Sequence, residues 1–243
     1  MNAIRSALAA YLIPLASARA LRIAVSLAAV VLGGLGICRV MGWLDAGALA
    51  VAQGAVLVPG LPLLAAILAE IPLRDGITQR TLLYPLLGPV SRPALAAVRT
   101  LATGVLLFAL VTALIIVFKI LGPLGWGDMP RLLTAALLGS LAYTAIFGLL
   151  QLAARRGLIL SLAVYFILDG PIGQLPFRLR NVAPSFHLRA LSYRIDFIDM
   201  PLGWDLPADP PLISAALVLV AVTAVCTALT AWLFARKRLV ALC

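Results

Sequence analysis

Charge is scarce in this chain. Of 243 residues only 12% are Asp, Glu, Lys or Arg, and 63% are hydrophobic. An ordinary soluble domain carries about 25% charged and about 45–50% apolar residues. No soluble core needs that much apolar surface, so lipid is the expected solvent for most of the chain. Histidine is almost missing, His187 being the only one. Serine-type proteolysis needs a base beside the nucleophile. Ser140 lies in the apolar stretch "LLGSLAYTAIFG", whereas His187 belongs to a polar segment far along the chain. Neither HExxH nor a glycine-rich loop ending in Lys-Ser/Thr occurs, which excludes a zinc protease and a phosphate-cradling ATPase of those kinds. Cys38, Cys226 and Cys243 form no CxxC pair and fall short of the roughly four clustered ligands that zinc requires. They read as small apolar residues. No carboxylate cluster suited to magnesium is present either. These absences point to a non-catalytic chain with no metal or cofactor of its own.

What the chain has in quantity is long apolar runs. A bilayer core takes about 20 apolar residues per helix. The run from 23 to 38, extended through "VMGWL", lies just after Arg22 and contains Arg39, which can snorkel to an interface. Residues 46–69 hold no charge, and Pro59 and Pro62 should kink that span. Residues 100–118 and 132–154 predict a third and a fourth span, and a fifth begins at Gly157 and is interrupted by Asp169. A sixth covers 210–235. Ahead of these, residues 1–22 place Ile4, Leu8, Leu12 and Leu15 on one helical face. That pattern predicts an interfacial helix lying along the membrane, and no cleaved signal peptide is read there. The fold class expected is an all-α integral membrane protein of six spans, forming one membrane domain over residues 1–243.

The net charge of +10 would suggest nucleic acid in a soluble protein. Here basic residues gathered at membrane edges account for it, and no nucleic-acid partner is expected. With six spans the termini share a side. That side holds twelve basic residues and two acids, Glu70 and Asp75, while the opposite side holds seven of each. The basic side is expected to be cytoplasmic, with both termini inside. The outer connection between spans five and six, about 169 to 209, is the longest. Phe177, Phe186, Tyr193, Phe197 and Trp204 would be costly to leave in water, so a compact cap with short helices is expected there. Its start, "DGPIGQLPF", can dip back into the membrane where protein buries the backbone. The spans contain Gln53 and Gln151, with Asp169, Arg39 and Lys119 near their ends. Without a buried carboxylate relay, ion-coupled transport has little support. Gly33, Gly34, Gly36, Gly104 and Gly139 read as sites of close helix packing.

One stretch is unlike the rest. "RDGITQRTLLYPLLGPVSR", residues 74–92, is polar and rich in turn formers between two apolar spans. Glu70 precedes it, then come Arg74-Asp75, Gly76-Ile77-Thr78, Leu82-Leu83, and Pro89-Val90-Ser91-Arg92 leading into a helix. This order resembles the loop between spans two and three of ABC-2 type transporter permeases. Ile77 separates a glycine and a threonine that usually adjoin, and Arg99 stands where a lysine is common. The six-span layout, inside termini and long outer segment resemble the same family. The resemblance implies a single ABC-2 type transmembrane domain in the inner membrane. It implies a permease subunit that exports substrate using ATP hydrolysed on a separate ATPase chain. Two copies of that ATPase, carrying ATP and Mg, and a second permease chain, in a homodimer or heterodimer, would be the partners alongside membrane lipid. The loop would form a coupling helix whose contacts with the ATPase fall on Glu70, Arg74, Asp75, Arg80, Leu83, Tyr84 and Arg92. A non-transporting membrane scaffold or assembly factor that anchors a soluble partner is the alternative.

Overall fold

The structure, a computed structural model, describes residues 19–42, 52–70, 91–121, 126–154, 156–172, 178–192 and 210–236. Among the described residues all regular structure is helical and no strand occurs. We number the helices α1 (Arg19–Val40), α2 (Ala52–Leu68), α3 (Arg92–Leu121), α4 (Met129–Ala153), α5 (Gly157–Ile172), α6 (Pro184–Leu191) and α7 (Leu212–Arg236). A short 3-10 turn, Arg178–Val182, precedes α6.

Four of these, α1, α3, α4 and α7, are long and apolar enough to cross a membrane. This is the signature of a multi-pass membrane protein. At the second and fifth expected spans the described helices are apolar but only 10–17 residues long. Both are interrupted by a π-turn, Val56–Gly60 in α2 and Val164–Asp169 in α5. In α2 the cause is visible in sequence. Pro59 lies inside the π-turn and Pro62 in the first turn after it, and neither has an N–H to give a helical ladder. The kink expected from these prolines is thus taken up as a change of helical register. A Cβ on Gly60 would lie 3.0 Å from the Ala55 carbonyl oxygen, an approach that glycine tolerates.

Helix α4 is the hub, packing against α2, α3, α5, α6 and α7. Its glycines show why. A Cβ on Gly139 would meet Leu188 Cδ1 at 2.8 Å and Leu61 Cδ1 at 3.2 Å, so α2 and α6 both close on α4 there. On α3, a Cβ on Gly104 would meet Leu141 Cδ2 at 2.8 Å. The expectation of close packing thus holds for Gly104 and Gly139. Around Gly33, Gly34 and Gly36 nothing lies within 4 Å among the described residues. Helix α1 sits at the margin, touching α2 and α3 and leaving Ile23, Val25, Leu27 and Val30 exposed. Such uncovered apolar surface would be a liability in water and carries no such penalty in lipid.

Polar groups on the long helices are mostly turned back on their own backbone. Thr100, Thr103, Thr134, Thr144, Thr223 and Thr230 each donate to the carbonyl four residues earlier, at 2.6–3.0 Å. That keeps hydroxyls satisfied within one helix, as a hydrocarbon surrounding demands. Arg99 and Lys119, counted in sequence as edge charges, are only 5% and 4% exposed within α3 and engage neighbours.

Candidate functional site

The described polar chemistry concentrates where α4, α5 and α6 meet. Asp169 ends the π-turn of α5 and is buried, 8% exposed. The Tyr143 hydroxyl on α4 donates to its Oδ2 at 2.5 Å, and the backbone N–H of Ser185 donates to its Oδ1 at 3.1 Å. The Ser185 hydroxyl donates to the Asp169 carbonyl oxygen at 2.9 Å.

These bonds explain how α6 begins. Its N-cap residue is Ala183, with no side-chain cap bond, and Pro184 occupies the first helical position. The first-turn N–H groups of a helix have no partner within it. Here the Asp169 carboxylate, sixteen residues back, takes the place of the missing cap. A negative charge at this end is also favoured by the helix dipole. The other end of α6 is closed by Arg131 of α4, which donates from Nε to the Leu191 carbonyl and from Nη2 to the Ala190 carbonyl, both at 2.8 Å.

The positions of the two caps set the depth of α6. Arg131 is in the first turn of α4, while Tyr143 is close to the middle of Met129–Ala153. At 1.5 Å per residue, the carboxylate is anchored roughly 20 Å along α4, a helix of about 37 Å. Helix α6 therefore runs antiparallel to α4 from its midpoint toward its Met129 end, with Leu188 against Gly139 between. Of the dip expected over "DGPIGQLPF", residues 173–177 lie outside the described residues. Asp169 lies near the end of α5, as expected, and its carboxylate is buried beside the midpoint of α4. Arg189, one turn beyond Ser185 on α6, adds positive charge near the carboxylate. His187 Nε2 lies 2.8 Å from the Asn181 carbonyl, and the Arg180 guanidinium stacks 4.5 Å from the Phe186 ring centroid. The short helices expected of the cap are present over 178–191; residues 193–209 lie outside the described residues.

A second set of contacts ties α2 to the same region. The helical partner of the Val58 carbonyl would be the N–H of residue 62, which is proline; the Tyr165 hydroxyl of α5 donates to that oxygen instead, at 3.3 Å. At the far end of α2, Gln151 Nε2 of α4 donates to the Ala66 carbonyl at 2.7 Å. A Cβ on Gly157 would lie 2.4 Å from Gln151 Cα, so the α4–α5 turn closes only around glycine. Tyr143 and Tyr165 meet edge to face, centroids 6.5 Å apart.

Of the residues assigned to ATPase contact, Glu70 is the last described residue after α2 and is half-buried with an interaction partner. Arg92 opens α3 and is exposed. Arg74, Asp75, Arg80, Leu83 and Tyr84 lie outside the described residues, as do residues 1–18 with most of the N-terminal interfacial segment. Sequence reasoning missed the Asp169–Tyr143–Ser185 set. The signal was a lone carboxylate in an apolar run, which in a membrane asks for a named partner. Among the described residues no three His, Cys, Asp or Glu side chains converge as a metal site would need. No family model, curated protein or solved structure matches the chain.

Proposed function

We propose that this chain is the membrane-spanning permease subunit of an ATP-driven exporter of the ABC-2 type. Two copies of a soluble ATPase, with ATP and Mg, dock on the segment between α2 and α3, and a second permease chain, identical or a sister, completes the unit. In this reading α2 and α5 complete a set of six spans, both termini and residues 71–90 face the cytoplasm, and the membrane is the inner membrane. The observation that carries it is the order of parts. A polar, turn-rich segment is bounded by a short broken helix ending near Glu70 and by α3 opening at Arg92. A short helix, α6, bonded to α4, also precedes the last long helix. The loop is polar because it meets a soluble protein, and Leu83 and Tyr84 offer an apolar anchor among Arg74, Asp75 and Arg80.

The test is the composition of the complex purified in mild detergent. Arg80→Glu replaces an attraction with a repulsion, and at a partly buried contact this is expected to cost roughly 2–5 kcal/mol of ATPase docking. If the arginine served only lipid headgroups, the change would be about 1 kcal/mol of surface attraction, with the ATPase retained. A full complement of ATPase with both Arg80→Glu and Tyr84→Ala would remove the coupling role from this loop.

Ion-coupled transport is a second reading, and one observation favours it: a carboxylate, Asp169, buried beside the midpoint of α4. Both of its oxygens already accept hydrogen bonds, which suits a structural cap better than an ion site. Uptake or export driven by an ion gradient in vesicles without ATP, and lost in Asp169→Asn, would reverse that preference.

A further inference from the structure

The long helices satisfy most of their hydroxyls internally, but the side of α4 that meets α2 and α5 does not follow this habit. Ser140 and Gln151 are eleven residues apart, three helical turns, and so share that side with Tyr143. Ser140 is fully buried, and its Oγ has no hydrogen-bond partner among the described residues. Gln151 is 5% exposed; its Nε2 holds the Ala66 carbonyl while its Oε1 is unpartnered. Ser161 of α5 sits one turn after Gly157, which touches Gln151, and its fully buried Oγ is also unpartnered. Gln53 on α2 is buried with Nε2 unpartnered. Thr112 on α3 and Thr227 on α7 share the property, but neither helix forms the seam between α2, α4 and α5.

Leaving a buried hydrogen-bonding group unmet costs about 1–3 kcal/mol, and buried polar groups in native proteins nearly always have a partner, protein or water. Several such groups lie on three facing helices; Ser140 and Gln151 are roughly 16 Å apart along α4, so a row of waters rather than a single one would meet them. A buried water makes two to four hydrogen bonds to groups of this kind. The flanking helices are suited to admit it. Both α2 and α5 are π-interrupted, a feature concentrated at hinges and functional sites, and a long 3.3 Å bond from Tyr165 to Val58 joins them. Non-helical backbone at membrane depth is tolerated where it is buried in protein or lines water.

We propose that the seam where α2 and α5 meet α4 is a water-binding site inside the membrane-spanning unit, entered between the two π-interrupted helices and lined by Ser140, Gln151 and Ser161. It is independent of the permease reading and holds for any partner that residues 71–90 engage.

Thiol labelling tests it. In a full-length chain with Cys38, Cys226 and Cys243 replaced by alanine, single cysteines are placed as Ser140→Cys, Ser161→Cys and, on the side of α4 that faces α3, Leu141→Cys. Serine to cysteine is a small change, and monodisperse elution of each variant checks the fold. The chain in membrane vesicles is treated with a small charged methanethiosulfonate, which requires water at the thiol, and separately with an apolar maleimide. The seam cysteines are expected to react with the charged reagent at least about tenfold faster than Leu141→Cys, the apolar reagent showing no such preference. Reaction of either seam cysteine at or below the Leu141→Cys rate with the charged reagent overturns the proposal. Loss of ATPase association in Arg80→Glu bears on the permease reading alone, so the two can fail separately.

Discussion

The two sides of α4 make different demands on their neighbours. One side packs on α3 and α7 around an apolar groove of about 420 Å³, lined by Leu138 and Leu141 of α4 with Ala97 of α3 and Ala224 and Ala228 of α7. Apart from Thr223 and Thr227 the groove lining is apolar. The other side meets α2, α5 and α6 through aimed bonds, Tyr143 to Asp169 and Gln151 to Ala66. In lipid no hydrophobic force favours one helix pair over another, so association rests on packing and on interhelical hydrogen bonds. The contrast teaches where specificity lies. The groove side lets α3 and α7 sit against α4, while the bonded side fixes the register of the three irregular elements.

The largest effect separating the two sides is expected at Asp169. Asp169→Ala strips the acceptor from two buried donors, the Tyr143 hydroxyl and the Ser185 N–H, and uncaps α6. A single interhelical hydrogen bond in a membrane protein averages about 0.6 kcal/mol and reaches about 1.7, but an unmet buried donor costs about 1–3 kcal/mol. With two donors stranded, a loss of about 3 kcal/mol is expected in detergent unfolding measurements. Tyr143→Phe combined with Asp169→Ala should cost less than the sum of the two, because each removes the same bond. A loss no greater than that of Leu141→Ala on the groove side would mean that the carboxylate does not hold α6.

Glycines give a comparison in sign as well as size. Gly157→Ala drives a methyl to 2.4 Å from Gln151 Cα. That atom is backbone and cannot swing aside, so α4 and α5 must part, at a cost of about 1–3 kcal/mol. Gly33→Ala meets nothing within 4 Å on the exposed margin of α1, where replacing a mid-helix glycine is expected to stabilise by up to about 1 kcal/mol. Thermal stability of the two variants should move in opposite directions; movement in the same direction would show that α1 is packed in the assembled protein.

Much of this contrast was legible in sequence, for reasons that can be named. Uncharged runs such as 100–118 and 210–235 announce helices because lipid leaves the backbone no other way to bond itself. Pro59 and Pro62 announced a break in the second run because both lack an N–H. Asp169 was visible as an anomaly, but its partners were not. Tyr143 is twenty-six residues away on another helix and Ser185 sixteen away across a chain reversal, and no local periodicity links them. The glycine pattern is silent for a related reason: Gly33, Gly34 and Gly36 look like a packing face, and whether a helix arrives there is a tertiary matter. Lys119 is in the last turn of α3, as its place in the run announced, but no local pattern announced that packing would bury it and Arg99.

The smallest effect is expected on the groove side, at Thr223. Its hydroxyl donates to the Leu219 carbonyl of its own helix at 2.8 Å, and the residue lines the groove between α7 and its neighbours. In a helix the Leu219 carbonyl also accepts from the backbone N–H four residues on. Thr223→Ala therefore strands no acceptor and severs no tie between helices. It also replaces a β-branched residue by the best helix former, a gain of a few tenths of a kcal/mol. That gain roughly offsets the packing lost at a half-buried methyl, so a change within about 0.5 kcal/mol of zero is expected, as for substitutions away from special features. Thermal unfolding beside Tyr143→Phe makes the comparison direct, one hydroxyl closing on its own helix and the other joining two. A loss above about 1 kcal/mol for Thr223→Ala would mean that the groove face also depends on a directed contact, and the division between the two sides of α4 would not stand.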